Sequence, residues 1–143
     1  VDSIEIAENV LNVVESKLLN DYGLKTLSSD DNEYVDVYEG APYKRDSSYH
    51  QGITWPWLLG LYYDAIKNII KIEKDNGKRE MLEKKLLKLV EKTKNTFKTE
   101  MFERSSIGTI SEIYDSKEPY EERGAFAQAW SVAEIFRIVS NRS

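Results

Sequence analysis

The sequence predicts an all-α protein made of two helical hairpins, and three observations carry that expectation. Four segments repeat apolar residues at helical spacing, a short turn joins the second to the third, and no segment alternates apolar and polar residues as a half-buried strand does. With 143 residues the chain has room for one domain. Hydrophobic residues make up 41% and charged residues 31%, a balance that suits a folded globular chain rather than a disordered or fibrous one.

The first segment, Asp2 to Asn20, places Ile4, Ala7, Leu11, Val14 and Leu18 on one stripe and Glu5, Glu8, Asn12 and Glu15 on other faces, with Asp2 or Ser3 to cap its start. It reads as an outer helix. The second, about Thr54 to Ile72, holds Pro56 in its first turn, where a missing N–H does no harm. Trp57, Leu58, Leu59, Leu61, Ile66, Ile69 and Ile70 make it apolar nearly all round, so it reads as buried. A turn around Asp75, Asn76 and Gly77 leads to the third, about Lys78 to Glu103. There Met81, Leu82, Leu86, Leu89, Val90, Phe97 and Met101 oppose a Lys/Glu surface with pairs such as Glu80 and Lys84, so this helix lies outside. The fourth, about Gly124 to Ser140, carries Phe126, Ala129, Trp130, Val132, Ala133, Ile135, Phe136 and Val139 on most faces and again reads as buried.

The connections into the two buried helices run about 33 and about 20 residues, past the roughly 12 to 15 at which structureless loops become uncommon, and read as functional. If antiparallel helices alternate between outer and inner layers, both long loops emerge at one end and the short turn lies at the other. That end is the expected working face.

Composition narrows the chemistry. The chain has no cysteine and His50 is its one histidine, which excludes disulfides, thiolate nucleophiles and a two-histidine metal site; no metal or cofactor is expected. The apolar, uncharged stretch Ile53 to Tyr63 falls far short of the roughly 20 residues of a membrane span. Net charge is −5, and between Lys78 and Arg104 there are nine basic and five acidic residues, leaving −9 elsewhere. No nucleic-acid-reading motif accompanies the basic stretch, which reads as a solvated helix face. The expected partners include neither nucleic acid nor membrane, and the expected location is the cytoplasm. Phosphate-loop and nucleophile-elbow patterns are absent: Gly77-Lys78 is followed by Arg79, and no G-x-S-x-G occurs.

Eight of the 16 aromatic residues lie between Tyr34 and Tyr63. For any single Tyr, packing of the loop is the commoner explanation. As a cluster, aromatic faces beside Arg45, Asp46, His50 and Gln51 suit a ligand with apolar C–H faces and many hydroxyls, which describes a sugar. His50 divides evenly between locking the loop by hydrogen bonds and contacting a sugar hydroxyl. Arg45 and Asp46 read as an ion pair that orders the loop. In the second loop, Glu121 and Glu122 are placed at a helix start, where the macrodipole accounts for them. Glu112, flanked by Ile110, Ile113 and Tyr114, reads as a partly buried carboxylate that needs hydrogen-bonding neighbours or a catalytic reason.

Three ordered motifs then carry a resemblance: Tyr49-His50-Gln51-Gly52-Ile53-Thr54-Trp55-Pro56-Trp57-Leu58-Leu59-Gly60, Gly108-Thr109-Ile110-Ser111-Glu112-Ile113-Tyr114-Asp115, and Arg123-Gly124-Ala125-Phe126-Ala127-Gln128-Ala129-Trp130-Ser131. Together with Tyr22 to Ser28 they resemble the C-terminal amylo-α-1,6-glucosidase region of glycogen debranching enzymes, over almost the whole chain except the surface of the third helix. The Glu112 stretch is similar to that of glucoamylases as well. The resemblance implies an (α/α)6 barrel, of which these two hairpins would be the last part, and a chain, 1–143, that is a C-terminal fragment; Val1 in place of an initiator Met agrees. It implies Glu112 as the general base of an inverting hydrolysis, with the acid upstream of Val1 and about 6.5 to 9.5 Å across the scissile bond. His50, Gln51, Trp55 and Trp57 match pocket positions, Gln128 would orient water or substrate, and Tyr49, Arg45, Asp46 and Trp130 would support the site. The implied partners are an α-glucan, the remainder of the parent polypeptide, and a second copy through exposed inner-helix faces. The competing readings are a glucoamylase- or trehalase-like α-glucosidase and a non-catalytic glucan-binding module.

Overall fold

The computed structural model describes residues 3–104 and 107–140. Its order is α1 (Ile4–Lys17), β1 (Leu24–Lys25), α2 (Pro42–Ser48), β2 (Thr54–Trp55), α3 (Leu58–Ile72), α4 (Asn76–Glu103), β3 (Ile113–Tyr114), β4 (Glu122–Arg123) and α5 (Ala129–Ser140). The fold is helix-rich, and α1, α3, α4 and α5 fall on the four periodic segments. All-α is corrected: β1 to β4 form one antiparallel sheet in chain order, with Leu24 opposite Trp55, Thr54 opposite Tyr114, and Ile113 opposite Arg123. Each strand comes from one long loop or its edge, so the two long connections meet in a single sheet.

The sheet also moves two helix starts. Thr54 and Trp55 are held between β1 and β3, which leaves Pro56 and Trp57 in a turn and delays α3 to Leu58. At α5, the Glu112 N–H donates to the Ala125 carbonyl at 2.8 Å and the Gln128 N–H to the Ile110 carbonyl at 2.9 Å, so the backbone stays non-helical until Ala129. Glu122 consequently lies on β4 rather than at a helix start, and it faces Arg104 at 3.3 Å; the macrodipole explanation is withdrawn. Ser3 is the N-cap of α1 yet makes no side-chain cap bond, and Asp2 lies outside the described residues, as do Ser105 and Ser106 of the second loop. Asp75, by contrast, caps α4 by accepting the Lys78 N–H at 2.9 Å.

The helix α3 packs against α1, α4 and α5, and α5 against α4. Leu11, Leu59, Tyr63, Ile66, Leu82, Leu89, Phe97 and Ile138 form the core between them. A smaller cluster of Ile53, Trp55 and Ile113 continues it under the sheet. Several apolar residues read as buried are exposed: Leu61 on α3, Met81 on α4, and Trp130 and Phe136 on α5. On α1 a second stripe, Ile6, Val10 and Val13, is bare as well. Of these, Trp130 still borders Trp55 and Trp57, and Met81 shares a hollow with Glu8, Leu11 and Asn12 of α1.

One buried charge ties the core to the sheet. Glu100, on α4, is 1% exposed; the Tyr114 hydroxyl donates to its Oε1 at 2.9 Å and Arg104 lies 3.5 Å from its Oε2. Burial pushes its carboxyl above the ordinary range, outweighing the Tyr114 bond and the Arg104 charge, which act the other way. A carboxyl raised in the folded state contributes stability that is full below its unfolded value of about 4.3 and is lost as pH rises through the folded value. Glu100→Gln should therefore gain stability relative to the parent chain as pH rises from about 4.3 toward neutrality. Urea unfolding of both proteins across that window checks it, and a constant difference would contradict the burial argument.

Candidate active site

Glu112 stands at the edge of the sheet, immediately before β3, and is partly buried. Three donors converge on its carboxylate. The Tyr49 hydroxyl donates to Oε1 at 2.5 Å, Gln128 Nε2 donates to the same oxygen at 3.3 Å, and the Ala125 N–H donates to Oε2 at 3.0 Å. The hydrogen-bonding neighbours that a carboxylate in this setting requires are thus present. Burial, then the bond to Glu112, raises the Tyr49 phenol well above its usual value, so Tyr49 stays protonated and remains a donor at any physiological pH.

Tyr49 is also one wall of an open cavity of about 370 Å³ lined by Thr26, Tyr49, His50, Trp55, Trp57, Leu58 and Trp130. The His50 ring stacks on Trp55 with centroids 5.3 Å apart and planes 9° apart. Trp130 lies 6.1 Å from both Trp55 and Trp57. The Trp55 Nε1–H donates to the Tyr49 carbonyl at 3.3 Å, which fixes the indole against the loop that carries His50. Flat aromatic faces, a hydroxyl and an imidazole around one hollow suit a pyranose ring, whose C–H faces stack while its hydroxyls find polar partners.

The loop motifs hold one another in place through small polar side chains. The Asn20 amide donates to Thr54 Oγ1 at 2.7 Å, Thr54 and Ser116 share a hydroxyl bond of 2.6 Å, Ser116 also bonds the Gly52 carbonyl, and the Gly52 N–H donates to Thr26 Oγ1 at 2.9 Å. Among the described residues, no cluster of His, Asp and Glu has a geometry that could hold a metal ion.

A family model described as amylo-alpha-1,6-glucosidase matches residues 2–137, nearly the whole chain. The chain belongs to that family. The match is to the C-terminal glucosidase region of debranching enzymes. Against the amylo-α-1,6-glucosidase motifs, the structure gathers Glu112, Tyr49, His50, Trp55, Trp57, Gln128 and Trp130 at one end of the helices. Gln51 stands apart, since its side chain does not line the aromatic cavity and its backbone carbonyl instead accepts the Val35 N–H at 2.6 Å. The Arg45–Asp46 ion pair does not form. Both lie on α2, where neighbouring side chains diverge by about 100°; Arg45 sits 6.0 Å from the Tyr38 ring centre and Asp46 is exposed, with no ion pair among the described residues. The hydrogen-bond role weighed for His50 is not taken up either: among the described residues its side chain makes no such bond, and its contact is the Trp55 face. Thr26 went unrecognised as a cavity residue, although it lies in the Tyr22 to Ser28 stretch that carries part of the resemblance.

For this amylo-α-1,6-glucosidase region, no helix among the described residues is long and apolar enough to cross a membrane.

Proposed function

We propose that this chain supplies the catalytic base and one wall of the sugar pocket for hydrolysis of α-1,6-linked glucose at the branch points of glycogen or limit dextrin. The observation that carries the reading is Glu112, held by three donors, one of which, Tyr49, lines the aromatic cavity. A carboxylate so oriented can take a proton from a water as that water attacks the anomeric carbon, in a single displacement with inversion. The proton for the leaving oxygen comes from a carboxylic acid outside this chain, across the scissile bond. His50, Trp55, Trp57 and Trp130 would receive the glucose ring, Gln128 would hold Glu112 and water together, and Tyr49 would fix the carboxylate.

In this reading residues 1–143 are the last part of an (α/α)6 barrel, a C-terminal piece of a cytoplasmic debranching enzyme. The bare faces at Leu61, Phe136 and the Ile6, Val10, Val13 stripe support it, because preceding inner and outer helices, or failing them a second copy, would cover them.

The test is substrate choice by the intact polypeptide. Glucose should be released from limit dextrin much faster than from linear maltodextrin, and as the β-anomer. Equal or faster release from the linear chain would favour a glucoamylase-like hydrolase. Binding of maltooligosaccharide with no hydrolysis of either substrate would favour a glucan-binding module.

A further inference from the structure

The Glu112 carboxylate is gripped from two sides, and both lead back to one buried residue with no part in the proposed chemistry. Asp115, just after β3, is 4% exposed. Its Oδ1 accepts the Tyr38 N–H at 2.8 Å, and its Oδ2 accepts Arg123 Nε at 3.1 Å and Nη2 at 2.8 Å. Its own N–H donates to the Glu121 carbonyl at 2.9 Å.

Tyr38 and Arg123 each lead to Glu112. The Tyr38 ring packs on Tyr49 with centroids 5.6 Å apart, and Tyr49 donates to Glu112 Oε1. Arg123 is followed by Gly124 and then Ala125, whose N–H donates to Glu112 Oε2. We infer that Asp115 is a positioning residue, a buried carboxylate that holds, through Tyr38 on one side and Arg123 on the other, two of the donors that orient Glu112. A bond that only closed the β3–β4 hairpin would need Arg123 alone, whereas the Tyr38 bond spans 77 residues to the loop that carries Tyr49. The cost of burying the charge is met by three N–H donors, so the contacts are costly to break singly.

The effect on turnover rests on the reading of Glu112 as the base; the effect on local structure does not. Asp115→Asn, made in the intact polypeptide, keeps an oxygen for the Tyr38 N–H and removes the charge that holds Arg123. Deuterium exchange over residues 123–127 should then speed by about tenfold while α3 and α5 keep their protection, with kcat for glucose release lowered by about tenfold and KM unchanged. Arg123→Lys keeps the charge without the two-pronged geometry and should give the same signature more weakly. The inference is overturned by unchanged exchange at 123–127 in both variants, or by equal acceleration in every helix, which would make Asp115 a general stability residue. If exchange at 123–127 speeds while turnover holds, and Glu112→Gln also leaves turnover intact, the positioning role stands and the assignment of Glu112 as base falls.

Discussion

Glu112→Gln in the intact polypeptide should lower glucose release from limit dextrin by about 10²- to 10⁴-fold, the range a positioned general base contributes, or about 3 to 5 kcal/mol of transition-state stabilisation. An amide cannot take the proton from the attacking water. The site should nonetheless accept the change without rearrangement. The amide oxygen can keep the Ala125 N–H, the Tyr49 hydroxyl can rotate to accept from the new NH₂, and Gln128 can turn its amide over to do likewise. Loss should therefore fall on kcat, with KM within about threefold of the parent value, since contacts made equally in ground and transition states are untouched. Initial rates over a range of limit dextrin concentrations separate the two, and activity within about twofold of the parent would remove Glu112 from the chemistry.

The helices are legible in the sequence because burial repeats along them: Leu82, Leu89 and Phe97 recur on one face of α4, and Leu59, Ile66 and Ile69 on one face of α3. Where the reading departs from the structure, at Met81, Leu61 and Phe136, the residues are apolar but exposed, because helical spacing marks apolar character and not what covers it. The sheet could not be read that way. Each strand is two residues long, too short for a period of two to show, and what holds it is pairing between segments far apart in the chain. The site divides similarly. Glu112 and the aromatic cluster declare themselves by residue type, but of the donors to Glu112, Tyr49 is 63 residues away and the third is a backbone N–H at Ala125, which no residue identity encodes. Asp115 and Glu100 look like any other solvated acids until Arg123, Tyr38 and Tyr114 are seen to close on them. The four stretches that bear the family resemblance each place a strand in or beside themselves. The shared residues thus mark the sheet that carries the site rather than the helices that carry most of the mass.

Gly124→Ala should reduce turnover by at least about tenfold, a larger effect than its cost in stability, because the residue lies where the backbone and the Glu112 carboxylate compete for space. Gly124 has a φ of 69°, the left-handed region, in which a side chain costs roughly 1 to 2 kcal/mol. A methyl group there would sit 2.4 Å from Glu112 Oε2, 3.1 Å from Glu112 Cβ and 3.0 Å from Ile113 Cγ1. Ile113 is fully buried and gives little, so the carboxylate is what must move, away from the Ala125 N–H that orients it. A displacement near 1 Å at a reacting group can lower a rate by about 10²-fold. Strain and displacement are separable because Gly108 has a φ of 83° and, among the described residues, nothing within 4 Å of the position a methyl would take. Gly108→Ala should therefore lose a similar amount of stability with turnover nearly intact, while Gly124→Ala loses both. Melting and kcat measured on the two variants side by side decide the matter: equal losses of turnover would mean that the carboxylate is free to shift, and that the close fit between Gly124 and Glu112 does not govern the chemistry.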